Sequence, residues 1–290
     1  MISVIFLYLG FSVSFILMKA SLFYSEPFFL VAIRMIPASL ILFGYSFFKK
    51  KLIRIPRKDF FYFGLATIFN IFITNTFELL GMEHATSSHV SLVFCFAPFL
   101  GALLSYFVWG ERLTRLKWVG LMLGIGGLGI LICPTFFCQN MSVAISNFYL
   151  FGAMIASTIG WTAIKILVFN RNYSGCYVNS ITMFIGGLLS LLASCMFETI
   201  PYAQTLRNSN VLLLVGGTII ITCIICYNLY AWLLRYFSVV FMTFAGFLAP
   251  LMTAVLGWFF LHEPLHLTFF VSFAILLTGL VVFYLEEVKK

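Results

Sequence analysis

The sequence predicts an all-α membrane protein with about ten transmembrane helices in two inverted five-helix repeats. Hydrophobic residues make up 62% of the 290 residues and charged residues only 9%, whereas soluble proteins average about half and about a quarter. A soluble domain of this length cannot cover its surface with so few charges, so most of the surface must face lipid. The apolar runs are continuous rather than alternating, which favours helices over a β-barrel.

Polar breaks divide the chain into about ten apolar segments, each long enough to cross a hydrocarbon core of about 30 Å. The predicted spans are 2–20, 28–48, 60–80, 86–108, 117–134, 148–167, 177–197, 211–231, 238–260 and 267–285. The first segment has neither a basic leading region nor a small-residue cleavage site, so we expect it to be retained as a helix rather than removed as a signal peptide.

The second half of the chain repeats the first at a spacing of 152 residues. The matched pairs are Ala97/Ala249, Pro98/Pro250, Ala102/Ala254, Leu104/Leu256, Phe107/Phe259, Glu111/Glu263 and Leu113/Leu265. The same spacing relates Gly127 to Gly279. We therefore predict two units of one design, with residues 1–140 forming the first five-helix repeat and residues 141–290 the second.

Basic residues mark one side of the membrane. The connection 49–58 holds six of them, and Arg115 and Arg171 fall on the same side if both termini are cytoplasmic. The opposite connection 135–147 has no Lys or Arg, and Arg207 is the clear exception on that side. Cytoplasmic connections are enriched in Lys and Arg, so the net charge of +8 reflects a multi-pass topology in the cytoplasmic (inner) membrane rather than a nucleic-acid partner.

The two repeats must enter the membrane from opposite sides, because each contains an odd number of helices. Arg112 and Arg115 stand beside Glu111, whereas the matching connection around Glu263 has no Lys or Arg. This difference predicts that Glu111 is cytoplasmic and Glu263 external. When two inverted halves exchange conformations, an inward-open state becomes an outward-open one, with the substrate bound between the halves.

These features resemble the drug/metabolite transporter superfamily, of the EamA-like type with two repeats of five helices. The matching features are Lys19 near the end of the first span, Arg34 after Pro27 in the second, and the segment 85–111 with its small polar residues, proline and glutamate. The second half repeats Lys165, Pro250 and Glu263. The resemblance implies transport of small metabolites, amino acids or drugs across the inner membrane without ATP hydrolysis. The absence of a GxxxxGK[ST] motif from the sequence agrees with this.

Ionisable side chains within the spans are the first candidates for binding, since such groups are costly in lipid and usually face a cavity or a partner. Arg34 lies about seven residues into its span, and Glu78 lies near the outer end of the third. The two can bind substrate, or they can neutralise each other. Lys19 ends its span, where it can also extend to the interface.

Polar residues related by the repeat are the second group of candidates. At the 152-residue spacing, Asn75 and Glu78 correspond to Tyr227 and Tyr230, and each pair lies on one helical face. The complete set of predicted substrate-binding residues is Lys19, Arg34, Asn70, Asn75, Glu78, Ser91, Trp161, Tyr227, Tyr230 and Thr243. Thr74 extends this lining. Such residues also commonly bridge packed membrane helices, and Pro98 and Pro250 are predicted to kink their helices.

The segment 262–266 spells the zinc-protease motif H-E-x-x-H. A proline at its third position, Pro264, disfavours the helix on which two histidines would share one face. The first repeat lacks both histidines but keeps the glutamate. We therefore predict no metal, and we expect Glu111 and Glu263 to cap the helices that follow them or to pair with nearby cations.

Three classes of function remain open: a transporter, a membrane-embedded enzyme such as a metalloprotease, and a structural or assembly protein. The inverted repeat favours the transporter, and the sequence offers no convincing catalytic cluster or cofactor motif. The preferred substrate is an amino acid or a related zwitterion, and the alternative is exchange of S-adenosylmethionine for S-adenosylhomocysteine. Arg34 or Lys19 for a carboxylate, and aromatic side chains for a ring, fit either one. Coupling to a proton or to a counter-substrate is compatible with both.

Overall fold

The fold consists of helices only, within the residues that the computed structural model describes. These are residues 2–49, 55–101, 103, 114–137, 141–199, 202–237, 242, 245–246, 248–264 and 266–287. The predicted all-α class is confirmed. Among the described helices, six are long and apolar enough to cross a membrane, and four further apolar helical segments fall in the remaining predicted spans.

We number the helices in chain order. They are α1 (Ile2–Leu22), α2 (Pro27–Phe48), α3 (Arg57–Met82), α4 (Ser87–Gly101), α5 (Arg115–Phe137), α6 (Met141–Asn170), α7 (Gly175–Phe197), α8 (Tyr202–Arg207), α9 (Ser209–Leu233), α10 (Leu248–Leu261) and α11 (Leu267–Glu287). The short α8 lies between α7 and α9. We refer to α1–α5 as the first half and to α6–α11 as the second half.

The helices α3 and α9 share one irregularity. Each contains an eight-residue π-helical segment, Ala66–Ile73 in α3 and Ile219–Cys226 in α9. An asparagine follows each segment, and its side-chain amide donates to the backbone carbonyls four and five residues earlier. These distances are 2.8 and 3.1 Å for Asn75 and 2.8 and 3.3 Å for Asn228. The side chain thus satisfies carbonyl groups that water cannot reach in a bilayer.

This shared irregularity changes the register that the sequence predicts for α3 and α9. Asn75 corresponds structurally to Asn228, 153 residues later, and not to Tyr227 at the 152-residue spacing. The spacing of 152 residues comes from α4 and α10, beyond the connection that follows α3. A one-residue difference in length between this connection and its counterpart after α9 keeps the match between α4 and α10. It shifts by one residue which positions of α3 and α9 correspond.

The two prolines predicted to kink their helices each follow a break in the regular helix. In α4 the helix is interrupted at Cys95 and Phe96, because Pro98 has no N–H to donate to the carbonyl of Phe94. Pro250 is the third residue of α10, where the first turn leaves its N–H groups without helical partners in any case. Met242 and Ala245 are helical and Gly246 is a turn residue, so a break precedes Pro250 as one precedes Pro98. The kinks at both prolines stay a prediction.

The repeated glycines lie where α5 packs against α11. A Cβ atom on Gly279 would lie 2.8 Å from the carbonyl oxygen of Gly120, and one on Gly127 would lie 3.0 Å from the backbone nitrogen of Leu276. Both clashes are with backbone atoms, which cannot rotate away. The glycines therefore allow the two helices to approach backbone to backbone, as small residues do in membrane proteins. The other extensive pairings are α2 with α7, α3 with α6 and α1 with α10.

Replacing Gly279 with alanine should destabilise the protein by about 1–3 kcal/mol, because the added methyl group would force α5 and α11 apart. The measurement is the melting temperature of the purified protein in detergent. Gly129 in α5 is the matched control, since a Cβ atom there meets nothing within 4 Å. Equal melting temperatures for Gly279→Ala and Gly129→Ala would show that the close approach contributes no stability.

Candidate functional site

A cavity of about 130 Å³ lies between the two halves. Its walls come from α1, α3 and α4 of the first half and from α6, α9 and α10 of the second. The polar residues among its lining are Tyr8, Ser14, Thr74, Asn75, Glu78, Ser91, Ser157, Thr222, Tyr227 and Tyr230. The cavity thus lies where the two halves of the chain meet.

Most of the predicted binding residues meet at this cavity. Those that line it are Asn75, Glu78, Ser91, Trp161, Tyr227 and Tyr230, together with Thr74. The wall does not include Lys19, Arg34 or Asn70. Thr243 lies outside the described residues.

Lys19 is held at the end of a helix instead. Its ammonium group donates to the backbone carbonyl oxygen of Met82 and, at 3.4 Å, to that of Glu83. These carbonyls belong to the last turn of α3 and the residue after it, where a positive charge is favourable. Lys19 therefore connects α1 to α3.

Asn70 packs against α6. It is buried, and a Cβ atom on Gly160 of α6 would lie 2.6 Å from its backbone nitrogen. Neither polar atom of the Asn70 side chain has a hydrogen-bond partner within the described part of the chain. The residue marks a close helix contact in the π-helical segment of α3.

A hydrogen-bonded cluster at Asn75 joins the two halves. The Oδ1 atom of Asn75 accepts from Nη2 of Arg34 at 2.6 Å and from the hydroxyl of Tyr227 at 3.2 Å. Arg34 also donates through Nη1 to the sulfur of Met18. Arg34 lies on α2, directly behind the cavity wall formed by Met18 and Asn75.

The second half has a neutral counterpart of this cluster. Asn179 of α7 donates to Oδ1 of Asn228 at 3.0 Å, as Arg34 of α2 donates to Oδ1 of Asn75. Neither Asn179 nor Asn228 lines the cavity. The two halves therefore share a hydrogen-bonding frame, but the charge occurs only in the first half.

Arg34 and Glu78 are buried ionisable groups that do not pair directly. Their side chains are 2% and 7% exposed, and the structure has no ion pair within 4.0 Å for either of them among the described residues. Over the same residues, Glu78 has no hydrogen-bond partner. Removing a charged group from water without a direct partner costs several kcal/mol, so such groups in a membrane span indicate a functional site.

Aromatic rings form the wall that the second half contributes. The rings of Trp161 and Tyr230 stack with their centroids 4.0 Å apart and an angle of 29° between their planes. Tyr227 lies 5.3 Å from Trp161, and Phe11 of α1 presents its edge to both tyrosines. Aromatic faces attract cations and stack on planar rings. The cavity therefore combines an aromatic wall with one carboxyl group, that of Glu78.

The sequence analysis missed the contribution of α1. This helix lines the cavity with Tyr8, Phe11, Ser14, Phe15 and Met18. Mostly apolar residues in an apolar span carry no local signal of function. The repeat does carry one, because the 146-residue spacing between Lys19 and Lys165 also relates Phe15 to Trp161 and Phe11 to Ser157, and all four of these residues line the cavity.

The H-E-x-x-H segment is not helical where it is described. His262 has a positive φ of 53°, and α10 ends before it. The carboxylate of Glu263 accepts from the backbone nitrogen of Ser87 at 2.8 Å and from its hydroxyl at 2.9 Å. Glu263 thus caps α4, and the prediction that it caps the helix following it is wrong. Glu111 lies outside the described residues.

A second carboxylate makes a similar contact at the same end of the molecule. Glu198, after α7, accepts from the backbone nitrogens of Phe28 at 2.6 Å and Phe29 at 3.0 Å, in the first turn of α2. Negative charge at a helix N-terminus is favourable. We call Glu198 and Glu263, with the helix starts they bind, the outer latch; both carboxylates belong to the second half and both partners to the first.

The opposite end of α3 has a latch of different chemistry. Asp59 accepts from the hydroxyl of Tyr173 at 2.9 Å and pairs with Arg171 at 3.2 Å. Arg235 donates to the backbone oxygen of Tyr173 at 2.8 Å. Burial, with the neighbouring Asp59 carboxylate, raises the pKa of Tyr173 to about 12, so its hydroxyl remains a donor. We call these four residues the inner latch.

Comparisons with known proteins agree with this architecture. The model of the EamA-like transporter family matches residues 1–133 and 144–285. The S-adenosylmethionine/S-adenosylhomocysteine transporter of Chlamydia trachomatis serovar L2 is 31% identical, over 96% of this chain and 87% of its own. The protein of the same name from Chlamydia muridarum is also 31% identical, over 96% and 89%. A solved crystal structure, 16% identical, covers 97% of this chain and 96% of its own with a TM-score of 0.66, which shows the same fold.

Replacing Glu263 with alanine should destabilise the protein by about 1.5–3 kcal/mol, because the start of α4 loses a charged hydrogen-bond partner. The measurement is the melting temperature of the purified protein.

The double variant His262→Asn with His266→Ala should keep the parental melting temperature, since asparagine tolerates a positive φ. Metal analysis of the purified parent should find no stoichiometric zinc. Zinc bound by the parent and lost from the histidine variant would revive the metalloprotease interpretation.

Proposed function

This chain belongs to the EamA-like transporter family, and we propose that it exchanges S-adenosylmethionine for S-adenosylhomocysteine across the membrane by alternating access. The sequence alone favours an amino acid first and this exchange second. The second is supported by relatives that carry this name and that match nearly the full length of the chain at 31% identity. S-Adenosylmethionine is itself an amino-acid derivative, so it retains the zwitterionic group of an amino-acid substrate.

The observation that carries the proposal is the Glu78 carboxyl, which has no partner among the described residues and lies in the same cavity as the stacked Trp161 and Tyr230. S-Adenosylmethionine presents a sulfonium cation next to a planar adenine. A carboxylate attracts the sulfonium, and aromatic faces attract cations and stack on planar rings. S-Adenosylhomocysteine keeps the adenine and the amino-acid group but lacks the sulfonium charge, so it fits the same cavity with one interaction fewer.

The two latches support alternating access. The outer latch joins Glu198 and Glu263 to the starts of α2 and α4, and the inner latch joins Asp59 to Arg171 and Tyr173. Each connects one half to the other, and they lie at opposite ends of α3. A substrate can reach the cavity from one side only when the latch on that side opens. We place the inner latch and both termini in the cytoplasm, following the basic connections.

The exchange can be measured in proteoliposomes that contain the purified protein. Labelled S-adenosylmethionine should enter vesicles preloaded with unlabelled S-adenosylhomocysteine faster than it enters empty vesicles. In preloaded vesicles the transporter returns to the outside with S-adenosylhomocysteine bound, whereas in empty vesicles it must return without a ligand. Methionine and other free amino acids should compete poorly. Uptake of a free amino acid without uptake of S-adenosylmethionine would replace this proposal with amino-acid transport.

Replacing Glu78 with glutamine should weaken the apparent affinity for S-adenosylmethionine about tenfold, which corresponds to about 1.4 kcal/mol. The affinity for S-adenosylhomocysteine should change much less, since this ligand has no sulfonium to attract. Competition of the two unlabelled ligands against one labelled substrate gives both affinities from one preparation. An equal loss for both would show that Glu78 supports the structure of the cavity and does not recognise the cation.

A further inference from the structure

We infer that Arg34 is a covered binding site for the carboxylate of the substrate, and that Met18 is the side chain that covers it. This inference deepens the proposed function and rests on it, because it assigns a second charged group of the same substrate to a second position. Arg34 is one of the sequence-based candidates for a carboxylate, and the structure adds the contact with Met18.

Among the described residues, the guanidinium of Arg34 has no charged partner within 4.0 Å. It is 2% exposed, and its described hydrogen-bond partners are the sulfur of Met18 and the amide oxygen of Asn75. Its Nε atom has none. A thioether is a weak acceptor, whereas a guanidinium offers five N–H donors in a planar fork that matches a carboxylate. Among the described residues the buried cation is therefore incompletely satisfied, because Nη1 has only a thioether acceptor and Nε has none.

Arg34 lies one side chain behind the cavity. Both of its partners, Met18 and Asn75, line the main cavity, and Met18 and Arg34 also line a small adjoining void of about 10 Å³. Methionine is unbranched and has three rotatable bonds, so it adapts to a changed neighbour at little cost. Rotation of Met18 away from the guanidinium exposes the donor group Nη1 to a ligand in the cavity.

The position of Arg34 relative to Glu78 fits a ligand with opposite charges. Arg34 is bonded to Asn75, and Glu78 lies three residues further along α3, one helical turn away on the same face. A carboxylate at Arg34 leaves a cation of the same ligand beside Glu78 and the aromatic wall. Within the described residues of the second half, the donor to the corresponding asparagine is the neutral Asn179 and not a cation. The positions of Arg34 and Glu78 thereby favour one orientation of the ligand, although the two halves share the same hydrogen-bonding pattern.

The test compares S-adenosylmethionine with decarboxylated S-adenosylmethionine, which keeps the sulfonium and the adenine. The parent protein should bind the carboxylated ligand at least tenfold more tightly, as measured by competition in proteoliposomes. In Arg34→Gln this ratio should fall to near one, since glutamine can still donate to Asn75 but offers no charge. Asn179→Ala is the matched control, and it should keep the parental ratio.

Each result has one interpretation. Arg34→Gln that weakens both ligands equally would show that Arg34 only positions Asn75. Equal affinity of the parent protein for both ligands would overturn the inference. This measurement needs no variant, so the test does not depend on whether a variant folds. A parent that transports neither ligand would instead overturn the proposed function. Met18→Leu, which removes the competing sulfur at similar volume, should raise the ratio or keep it.

Discussion

The side chain of Asn75 connects the parts of this molecule that matter for function. Its amide nitrogen satisfies two carbonyl groups of the π-helical segment in α3, and its oxygen accepts from Arg34 on α2 and Tyr227 on α9. Inside a bilayer no water replaces a lost hydrogen-bond partner. Removing any one of these groups would therefore leave another polar group unsatisfied. The irregular helix, the buried guanidinium and the contact between the halves therefore form one unit, and Glu78 is positioned one turn beyond it.

The two halves share a hydrogen-bonding frame and differ in the side chains that they place at the cavity. Both halves have a π-helical segment followed by an asparagine that receives a hydrogen bond from the second helix of its repeat. In the first half the donor is a cation, and Glu78 lies nearby. In the second half the donor is neutral, and Trp161 and Tyr230 are stacked. A symmetric fold thus encloses an asymmetric cavity, as an asymmetric substrate requires.

Much of the fold could be predicted from the sequence, because lipid imposes a simple rule on composition and length. The helical spans, the repeated glycines Gly127 and Gly279, and the polar residues Asn75 and Glu78 are all visible as apolar runs, spacing and polar groups that are costly in lipid. The close contact that the glycines make is known only from the structure. These signals are local or periodic. They require no knowledge of how distant segments pack.

The missed features depend on long-range packing or on an irregular backbone. Glu263 accepts a hydrogen bond from Ser87, which lies 176 residues earlier in the chain. Nothing in the sequence of either segment indicates this contact. The one-residue shift in α3 and α9 arises in the connection before α4, which a gapless comparison cannot place. The lining by Phe11 and Phe15 could not be separated from ordinary lipid-facing phenylalanine, since 36 phenylalanines occur in the chain.

The outer latch has a consequence for how this protein can vary over evolutionary time. Glu198 binds only backbone N–H groups of α2, and Glu263 binds the backbone of α4 as well as one hydroxyl. Every residue except proline offers the same backbone donor. The first turns of α2 and α4 are therefore free to drift in side-chain identity without loss of the contact, while the selective constraint falls on two glutamates that lie far away in the sequence.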